Sequence, residues 1–122
     1  MLDWQALQAR ANDDGEFRIQ ARFWNAIVRF TCGQESTRID MRDGKIAAIE
    51  PWFGTMAGNL TVTASEDDWD ALLAPIPKPF YQDLYAATVH HGFETAGDTK
   101  HYCAYYPAIR RLIELMREVK HA

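Results

Sequence analysis

The stretch Gly58–Leu73, GNLTVTASEDDWDALL, constrains the fold more than any other part of the chain. Leu60 and Val62 alternate with threonines, and this period of two in β-branched residues predicts a strand. Ser65 is predicted to end the strand and begin a helix, because its hydroxyl can accept a hydrogen bond from the amide of Asp68. The chain before this point is predicted to be mostly β, and the chain after it mostly α.

Length, composition and charge narrow the class of protein. The chain has 122 residues, 48% of them hydrophobic and 25% charged, which predicts one globular domain over residues 1–122. A net charge of −4 argues against nucleic acid as a partner, because phosphate binding requires a basic surface. We expect a cytoplasmic protein with no integral membrane segment, since no apolar run resembles a signal peptide or is long enough to span a bilayer. Cys32 and Cys103 are expected to be unlinked thiols.

The N-terminal half is predicted to be one helix followed by extended chain. The helix covers Leu2–Asn12, and alternating apolar residues then predict a long extended run over Glu16–Gly33, with a bulge or turn in its middle. A strand with one solvated face is predicted over Thr37–Arg42. Asp43-Gly44 is predicted to form a two-residue hairpin turn, because glycine tolerates the positive φ that this turn requires. The sheet then resumes at Ile46–Ile49.

The C-terminal half is predicted to be helical with one short extended segment. Pro75–Pro79 predicts an extended link of polyproline character, because closely spaced prolines cannot be helical. Helices are predicted over Phe80–His91 and Thr99–Lys120, with a kink or restart of the second near Pro107. Phe93–Ala96 between them is predicted to be extended.

No catalytic, metal-binding or cofactor signature stands in the sequence. The adjacent histidines His90 and His91 would diverge on a helix, whereas metal ligands on a helix usually stand four residues apart, so we predict no metal and no cofactor. The sequence has no nucleophile elbow, phosphate-binding glycine loop or dinucleotide fingerprint, and no catalytic residue is predicted. An acid–base pair of either histidine with Glu94, Tyr81 or Tyr85 is the alternative.

Aromatic residues, 12% of the chain, exceed what the short helices need. Any one of them could fill a core, but together they predict an apolar cavity with a few polar groups. We expect this cavity between the sheet and the helices Ser65–Leu73 and Phe80–His91, closed on one side by Thr99–Lys120. The predicted ligand-binding residues are Trp24, Trp52, Phe53, Met56, Trp69, Leu73, Phe80, Tyr81, Leu84, Tyr85, Phe93 and Tyr105.

Three short pieces of the chain carry a resemblance to a known family. They are the hairpin Met41–Lys45, the strand Asn59–Thr63 with its capped helix at Ser65–Trp69, and the segment Gly92–Asp98. In this order they resemble the sterol carrier protein 2 (SCP2) family over roughly Phe17–Asp98. The resemblance implies an α+β fold: an antiparallel, mixed-order sheet of about five strands, backed by helices. It also implies a tunnel for sterols, fatty acyl chains or acyl-CoA, with no catalytic residues to carry over.

The predicted function is therefore the binding or carrying of a hydrophobic small molecule, of the sterol, fatty acyl or acyl-CoA type. One alternative is a small cofactor-free enzyme, a hydratase, isomerase or hydrolase, acting on an apolar substrate. Another is an interaction subunit whose apolar surface docks a partner, and a homodimer is possible. Carrier and enzyme would differ in whether polar groups inside the cavity have shifted pKa values. Partner docking would leave an exposed apolar patch.

Overall fold

The computed structural model describes residues 1–54 and 58–122. Within these residues, one mixed sheet carries helices against it. Met56, one of the predicted ligand-binding residues, lies outside the described residues. The elements in chain order are α1 (Trp4–Asn12), α2 (Gly15–Gln20), β1 (Ala26–Cys32), β2 (Glu35–Arg42), β3 (Lys45–Pro51), β4 (Leu60–Ala64), α3 (Glu66–Leu72), α4 (Leu84–His90), β5 (Glu94–Gly97) and α5 (Thr99–Lys120).

The strands form a single five-stranded sheet in the order β3-β2-β1-β4-β5. Strands β1, β2 and β3 follow one another as antiparallel neighbours, and β4 pairs with β5 in the same way. The pairing of β1 with β4 is parallel, and the strand order requires the chain after β3 to cross from one edge of the sheet past β2 and β1. The sheet and its helices confirm the predicted α+β class and the mixed strand order.

The two faces of the sheet differ in burial because the helices cover only one of them. The covered face, here the inner face, carries Val28, Phe30, Ile39 and Val62, each at most 2% exposed. The opposite, outer face carries the alternate residues of the same strands, and these are partly exposed. Side chains alternate between faces along a strand, so this burial pattern follows directly from the sequence period.

The structure contradicts the extended run predicted over Glu16–Gly33, because its first part is the helix α2. The carboxylate of Asp14 accepts a hydrogen bond from the amide of Phe17 at 2.8 Å and so caps this helix. Burial follows the helical period, since Phe17 and Ala21 are fully buried while Ile19 is 67% exposed. The apolar alternation misled the prediction because Ile19 faces solvent. Only β1 is a strand in this region.

Two local predictions are confirmed by backbone geometry. Asp43 and Gly44 both have positive φ, 49° and 77°, as a two-residue hairpin turn requires. The amide of Asp68 donates to the hydroxyl of Ser65 at 3.1 Å, so Ser65 caps α3. The chemistry of neighbouring residues thus determines where the hairpin turns and where α3 begins.

The helices α4 and α5 each have an irregularity near one end. Helix α4 begins at Leu84 rather than at Phe80, because Phe80 has a left-handed φ of 67° and Asp83 caps the helix by accepting from the amide of Ala86. Helix α5 is interrupted at Tyr105, two residues before Pro107, which confirms the predicted kink.

Two arginines of α5 hold the neighbouring segments against it. Arg111 donates to both carboxylate oxygens of Asp14, at 2.8 and 3.0 Å, and this pair lowers the pKa of Asp14 to about 2. Arg117 donates to the backbone oxygens of Leu72 and Tyr81 at 2.7 and 2.9 Å. The start of α2, the end of α3 and the loop before α4 are therefore tied to the last helix.

Candidate functional site

Packed side chains fill the space between the sheet and α3, where the cavity was predicted. The ring of Trp69 lies 5.0 Å from that of Phe93 and 5.3 Å from that of Phe30, and its indole N–H donates to the backbone oxygen of Thr31 at 2.8 Å. A ligand would reach these side chains only if the core opened. The predicted ligand-binding residues in this core, each at most 3% exposed, are Trp24, Trp69, Leu73, Leu84 and Phe93.

A second group of predicted residues lies around α4 and contacts other rings of the protein. Phe80 stacks on His90 with ring centres 3.8 Å apart, and Tyr81 stacks on His91 at 3.7 Å. Tyr85 is 60% exposed on α4. The remaining member of the predicted set, on α5, stacks on Trp24 at 4.9 Å and is Tyr105. These ring contacts hold the loop before α4 against the end of α4, and the kink of α5 against Trp24.

The side chains proposed for acid–base chemistry do not meet in one site. Glu94 is exposed on the edge strand β5, and within residues 1–54 and 58–122 no hydrogen bond or ion pair joins it to His90 or His91. The hydroxyl of Tyr81 donates to Asp68 at 2.7 Å, and this hydrogen bond raises the pKa of Tyr81 to about 12. Tyr81 therefore keeps its proton and holds the loop. In the described part of the chain, no three metal-ligating side chains converge.

An open cavity of about 390 Å³ lies at the far end of the β2–β3 hairpin, beside the start of α1. Small-molecule sites in proteins typically have about 300–1,000 Å³, so this cavity is large enough for one. We call it the hairpin pocket. Its apolar walls are Trp4, Ile49, Pro51, Trp52 and Phe53, and its polar residues are Gln34, Glu35, Ser36, Thr37 and Glu50.

The register of β2 and β3 places two apolar walls of the hairpin pocket on the inner face. Ile49 pairs with the buried Ile39, and Pro51 pairs with Thr37, so all four side chains share one face. The amide of Trp52 donates to a β2 backbone oxygen at 2.9 Å, which carries the pairing one residue beyond β3. The pocket therefore opens where the sheet ends and the covering helix has only begun.

Helix α1 is fixed on β3 by hydrogen bonds that reach across to the strand. Asn12 both donates to the backbone oxygen of Ile46 at 2.9 Å and accepts from its amide at 2.8 Å. Gln8 donates to the same oxygen at 3.1 Å. These bonds place Trp4, the first residue of α1, over the end of β3, where it closes one side of the hairpin pocket.

The charges that line the hairpin pocket are all negative. Glu35 and Glu50 line it, and no lysine, arginine or histidine is part of the lining that the structure describes. The amide of Gln34 and the hydroxyl of Thr37 can donate and accept hydrogen bonds there, whereas the Ser36 hydroxyl is bonded to Arg29 and Thr31 on the outer face. A ligand with an uncharged or positively charged polar end suits the inner side of the pocket, because an anionic end there would meet Glu35, whereas Arg29 and Arg38 lie against Trp52 on the outer face.

Sequence reasoning found part of the hairpin pocket and missed the rest. Trp52 and Phe53 were among the predicted ligand-binding residues. Trp4 and Ile49 were not, because they meet only when α1 packs on β3, and no local pattern reports that contact. One sequence feature could have indicated Trp4: it is the first apolar residue of α1, so its large ring extends beyond the end of the helix.

The fold is shared with solved structures of low sequence identity. The crystal structure of sterol carrier protein 2 aligns with a TM-score of 0.78 at 18% identity, covering 98% of this chain and 97% of that chain. The chain has the SCP2-like fold. A conserved hypothetical protein from Thermus thermophilus, described as a possible sterol carrier protein, aligns with a TM-score of 0.75 at 17% identity, covering 94% of this chain and 84% of that chain. These alignments confirm the fold that the resemblance implied.

A third SCP2-like structure is more distant. The apo form of sterol carrier protein 2 from Yarrowia lipolytica aligns with a TM-score of 0.59 at 14% identity, covering 93% of this chain and 88% of that chain. No protein-family model and no curated protein matches this sequence.

Among the described residues of this SCP2-like chain, no helix is both long and apolar enough to cross a membrane.

Proposed function

We propose that this protein binds and carries a hydrophobic small molecule in the hairpin pocket. The observation that carries the proposal is the cavity of about 390 Å³ walled by Trp4, Ile49, Pro51, Trp52 and Phe53. The SCP2-like fold supports it, because proteins with this fold include sterol carrier proteins. The predicted contacts of a ligand with the core residues around Trp69 stay a prediction that requires the core to open.

The energetics favour an apolar ligand with one small polar end. Each Å² of apolar surface removed from water contributes about 25 cal/mol, and binding must exceed the cost of lost translation and rotation. Rings such as Trp4 and Trp52 offer large apolar area at little cost in side-chain entropy. The hydroxyl of Thr37, which shares the inner face with Ile49 and Pro51, can pair with a single hydroxyl group of the ligand.

Among the ligand types predicted from the sequence, a sterol fits the hairpin pocket better than a fatty acid or acyl-CoA. A carboxylate or phosphate on the ligand would add negative charge beside Glu35, which lies on the inner face with the apolar walls Ile49 and Pro51. A sterol hydroxyl adds none. We therefore expect a fluorescent sterol to bind more tightly than a fluorescent fatty acid of similar apolar area.

Titration of the protein with a fluorescent sterol tests the proposal. Thr37→Trp places an indole in the hairpin pocket, and we expect it to weaken binding by about tenfold or more, because it occupies space that the ligand needs. The control is Thr95→Trp, the same substitution on the exposed edge strand β5, which should leave binding unchanged. Unchanged affinity in Thr37→Trp, or no sterol binding by the parent protein, contradicts the proposal.

A further inference from the structure

The helix α2 and the residues just after it leave two large apolar side chains in water. Ile19 of α2 is 67% exposed, and Phe23, three residues beyond the helix, is 74% exposed. Phe23 also has a left-handed φ of 69°, a conformation that is unfavourable for a bulky residue and that asparagine adopts more readily. An exposed ring in a strained backbone adds nothing to the core, and strain of this kind clusters at functional surfaces.

The turn of the β2–β3 hairpin packs against the same segment and forms one continuous surface with it. The amide of Gly44 donates to the backbone oxygen of Trp24 at 3.0 Å, and the amide of Asp43 donates to the side chain of Asn25 at 3.1 Å. A Cβ at Gly44 would lie 2.7 Å from the backbone oxygen of Ala21, so this close approach requires glycine. The turn and the end of α2 are therefore held together.

Basic side chains surround the exposed apolar pair. Arg18, Arg22 and Lys45 line an open groove of about 430 Å³ between α2 and the hairpin turn, and Ile19 lines it with them. The guanidinium group of Arg22 also lies 5.3 Å from the centre of the Phe23 ring. None of the three basic groups is in an ion pair with a residue that the structure describes. We call these five residues the docking surface.

Nearby carboxylates reduce this positive charge only in part. Asp43 lines the groove as well, so three basic groups face one acidic group there. Glu16, at the start of α2, lies 3.2 Å from Arg111 of α5, which neutralises part of its charge. The chain as a whole has a net charge of −4, so the docking surface is a basic and apolar end of an otherwise acidic protein.

We propose that the docking surface binds a membrane surface that contains anionic lipids. Ile19 and Phe23 enter the boundary between headgroups and acyl chains, while the three basic groups contact the phosphates and carboxylates of the lipids. A membrane suits separate apolar side chains better than an acidic protein does, because it requires no matching shape. The docking surface lies at the turn end of β2 and β3, and the hairpin pocket lies at their far end. The proposal therefore does not depend on a ligand in that pocket.

Sedimentation of the whole chain with vesicles tests the proposal. We expect binding to vesicles of phosphatidylcholine mixed with phosphatidylserine, little binding to vesicles of phosphatidylcholine alone, and weaker binding as the salt concentration rises. Equal binding to the two kinds of vesicle, or no binding to the anionic vesicles, overturns the proposal. Binding to poly-glutamate without binding to vesicles would assign the surface to an acidic protein and also overturn it.

Arg22→Gln tests the basic part of the docking surface. It should weaken binding to the anionic vesicles by about fivefold, the usual contribution of one basic residue beside an anionic membrane. Arg110→Gln is the matched control, because Arg110 is exposed on α5 and the net charge changes equally. This control should leave binding nearly unchanged. An equal loss in the two variants would show dependence on net charge alone and contradict the site.

Phe23→Asn separates docking from stability. Because asparagine adopts a left-handed φ more readily than phenylalanine, urea unfolding should show an equal or higher free energy of unfolding. Binding to the anionic vesicles should fall by about tenfold, because an apolar ring no longer enters the headgroup boundary. Ile76→Asn, which changes a side chain 88% exposed elsewhere on the surface, is the control and should leave binding unchanged. Unchanged binding in Phe23→Asn, or an equal loss in Ile76→Asn, overturns the proposal.

Discussion

Trp69 and Trp52 were both predicted to bind ligand, and the structure gives them opposite surroundings. Trp69 is fully buried, its ring packed against Phe30 and Phe93 and its N–H bonded to a backbone oxygen. Trp52 is half-buried beside an open pocket, with two guanidinium groups against its ring. An excess of aromatic residues therefore does not by itself indicate where a cavity lies.

The difference between the two regions comes from the elements that face them. Around Trp69, α3, α4 and the start of β5 bring large side chains that fill the space above the sheet, including Leu72, Leu84 and Phe93. Around Trp52, the covering helix α1 has only begun, and its first residue, Trp4, closes one side alone. A cavity remains where a helix begins late over the end of a strand.

The sharpest contrast in stability should come from replacing each tryptophan by alanine. Trp69→Ala should cost about 3–5 kcal/mol of unfolding free energy, because it leaves a cavity in a packed core. Trp52→Ala should cost about 1 kcal/mol or less, since the ring is partly exposed. Urea unfolding of both variants measures the contrast. Similar losses of unfolding free energy in the two variants would contradict the difference in packing between the surroundings of Trp69 and those of Trp52.

The ion pair of Asp14 and Arg111 holds the start of α2 against α5, in the packed part of the molecule. Asp14→Asn should cost about 1.5–3 kcal/mol at neutral pH, because Arg111 loses its charged hydrogen bonds to the buried Asp14 and keeps only the more exposed Glu16 and Glu114. The folded pKa of Asp14, about 2, lies below the ordinary value, so its contribution is present above about pH 4 and is lost as pH falls towards 2. Unfolding measured from pH 6 to pH 2 should therefore show a smaller decline in the variant. An identical decline in both proteins would contradict the pair's role.

The cap of α3 should contribute less to the free energy of unfolding than Trp69 or Asp14. Ser65→Ala should cost about 1 kcal/mol, because the amide of Asp68 loses its hydrogen-bond acceptor. Ser65→Asn keeps an acceptor at the cap and should restore most of the loss. Thermal unfolding of the two variants gives the comparison, and equal destabilisation by alanine and asparagine would argue against capping.

The smallest effect on stability is expected at the rim of the hairpin pocket. Phe53 is 89% exposed, so Phe53→Ala should change unfolding free energy by less than about 0.5 kcal/mol. The same change removes an apolar wall and should weaken sterol binding several-fold, by fluorescence titration. A large loss of stability would contradict the exposed position of Phe53. Unchanged sterol affinity would contradict its place in the wall of the hairpin pocket.

Local chemistry in the sequence predicted one turn and one helix cap, and other helix starts were missed. The cap at Ser65 and the hairpin at Asp43-Gly44 depend on neighbours in sequence, and both are confirmed. Helix α2 was missed because its cap, Asp14, lies in the short gap between the predicted first helix and the predicted extended run, and the exposed Ile19 completed a false alternation. The left-handed Phe80 delays α4 without any glycine to signal it.

The candidate site was the harder part to predict, for a physical reason. Trp52 and Phe53 were named because the excess of aromatic residues predicted an apolar cavity. Their partners Trp4 and Ile49 come from α1 and β3, whose contact is made by long-range hydrogen bonds from Asn12. The buried members of the predicted set were chosen by the same aromatic criterion, which cannot distinguish a filled space from an empty one.

The most direct test of the ligand's position uses a nitroxide-labelled sterol and the indole N–H signals of the tryptophans. Paramagnetic broadening falls steeply with distance, so it reports which rings lie beside the bound label. We expect strong loss of the Trp4 and Trp52 signals, with Trp24 and Trp69 retained. Loss of the Trp69 signal instead, with Trp52 retained, would place the ligand in the core and contradict the hairpin pocket.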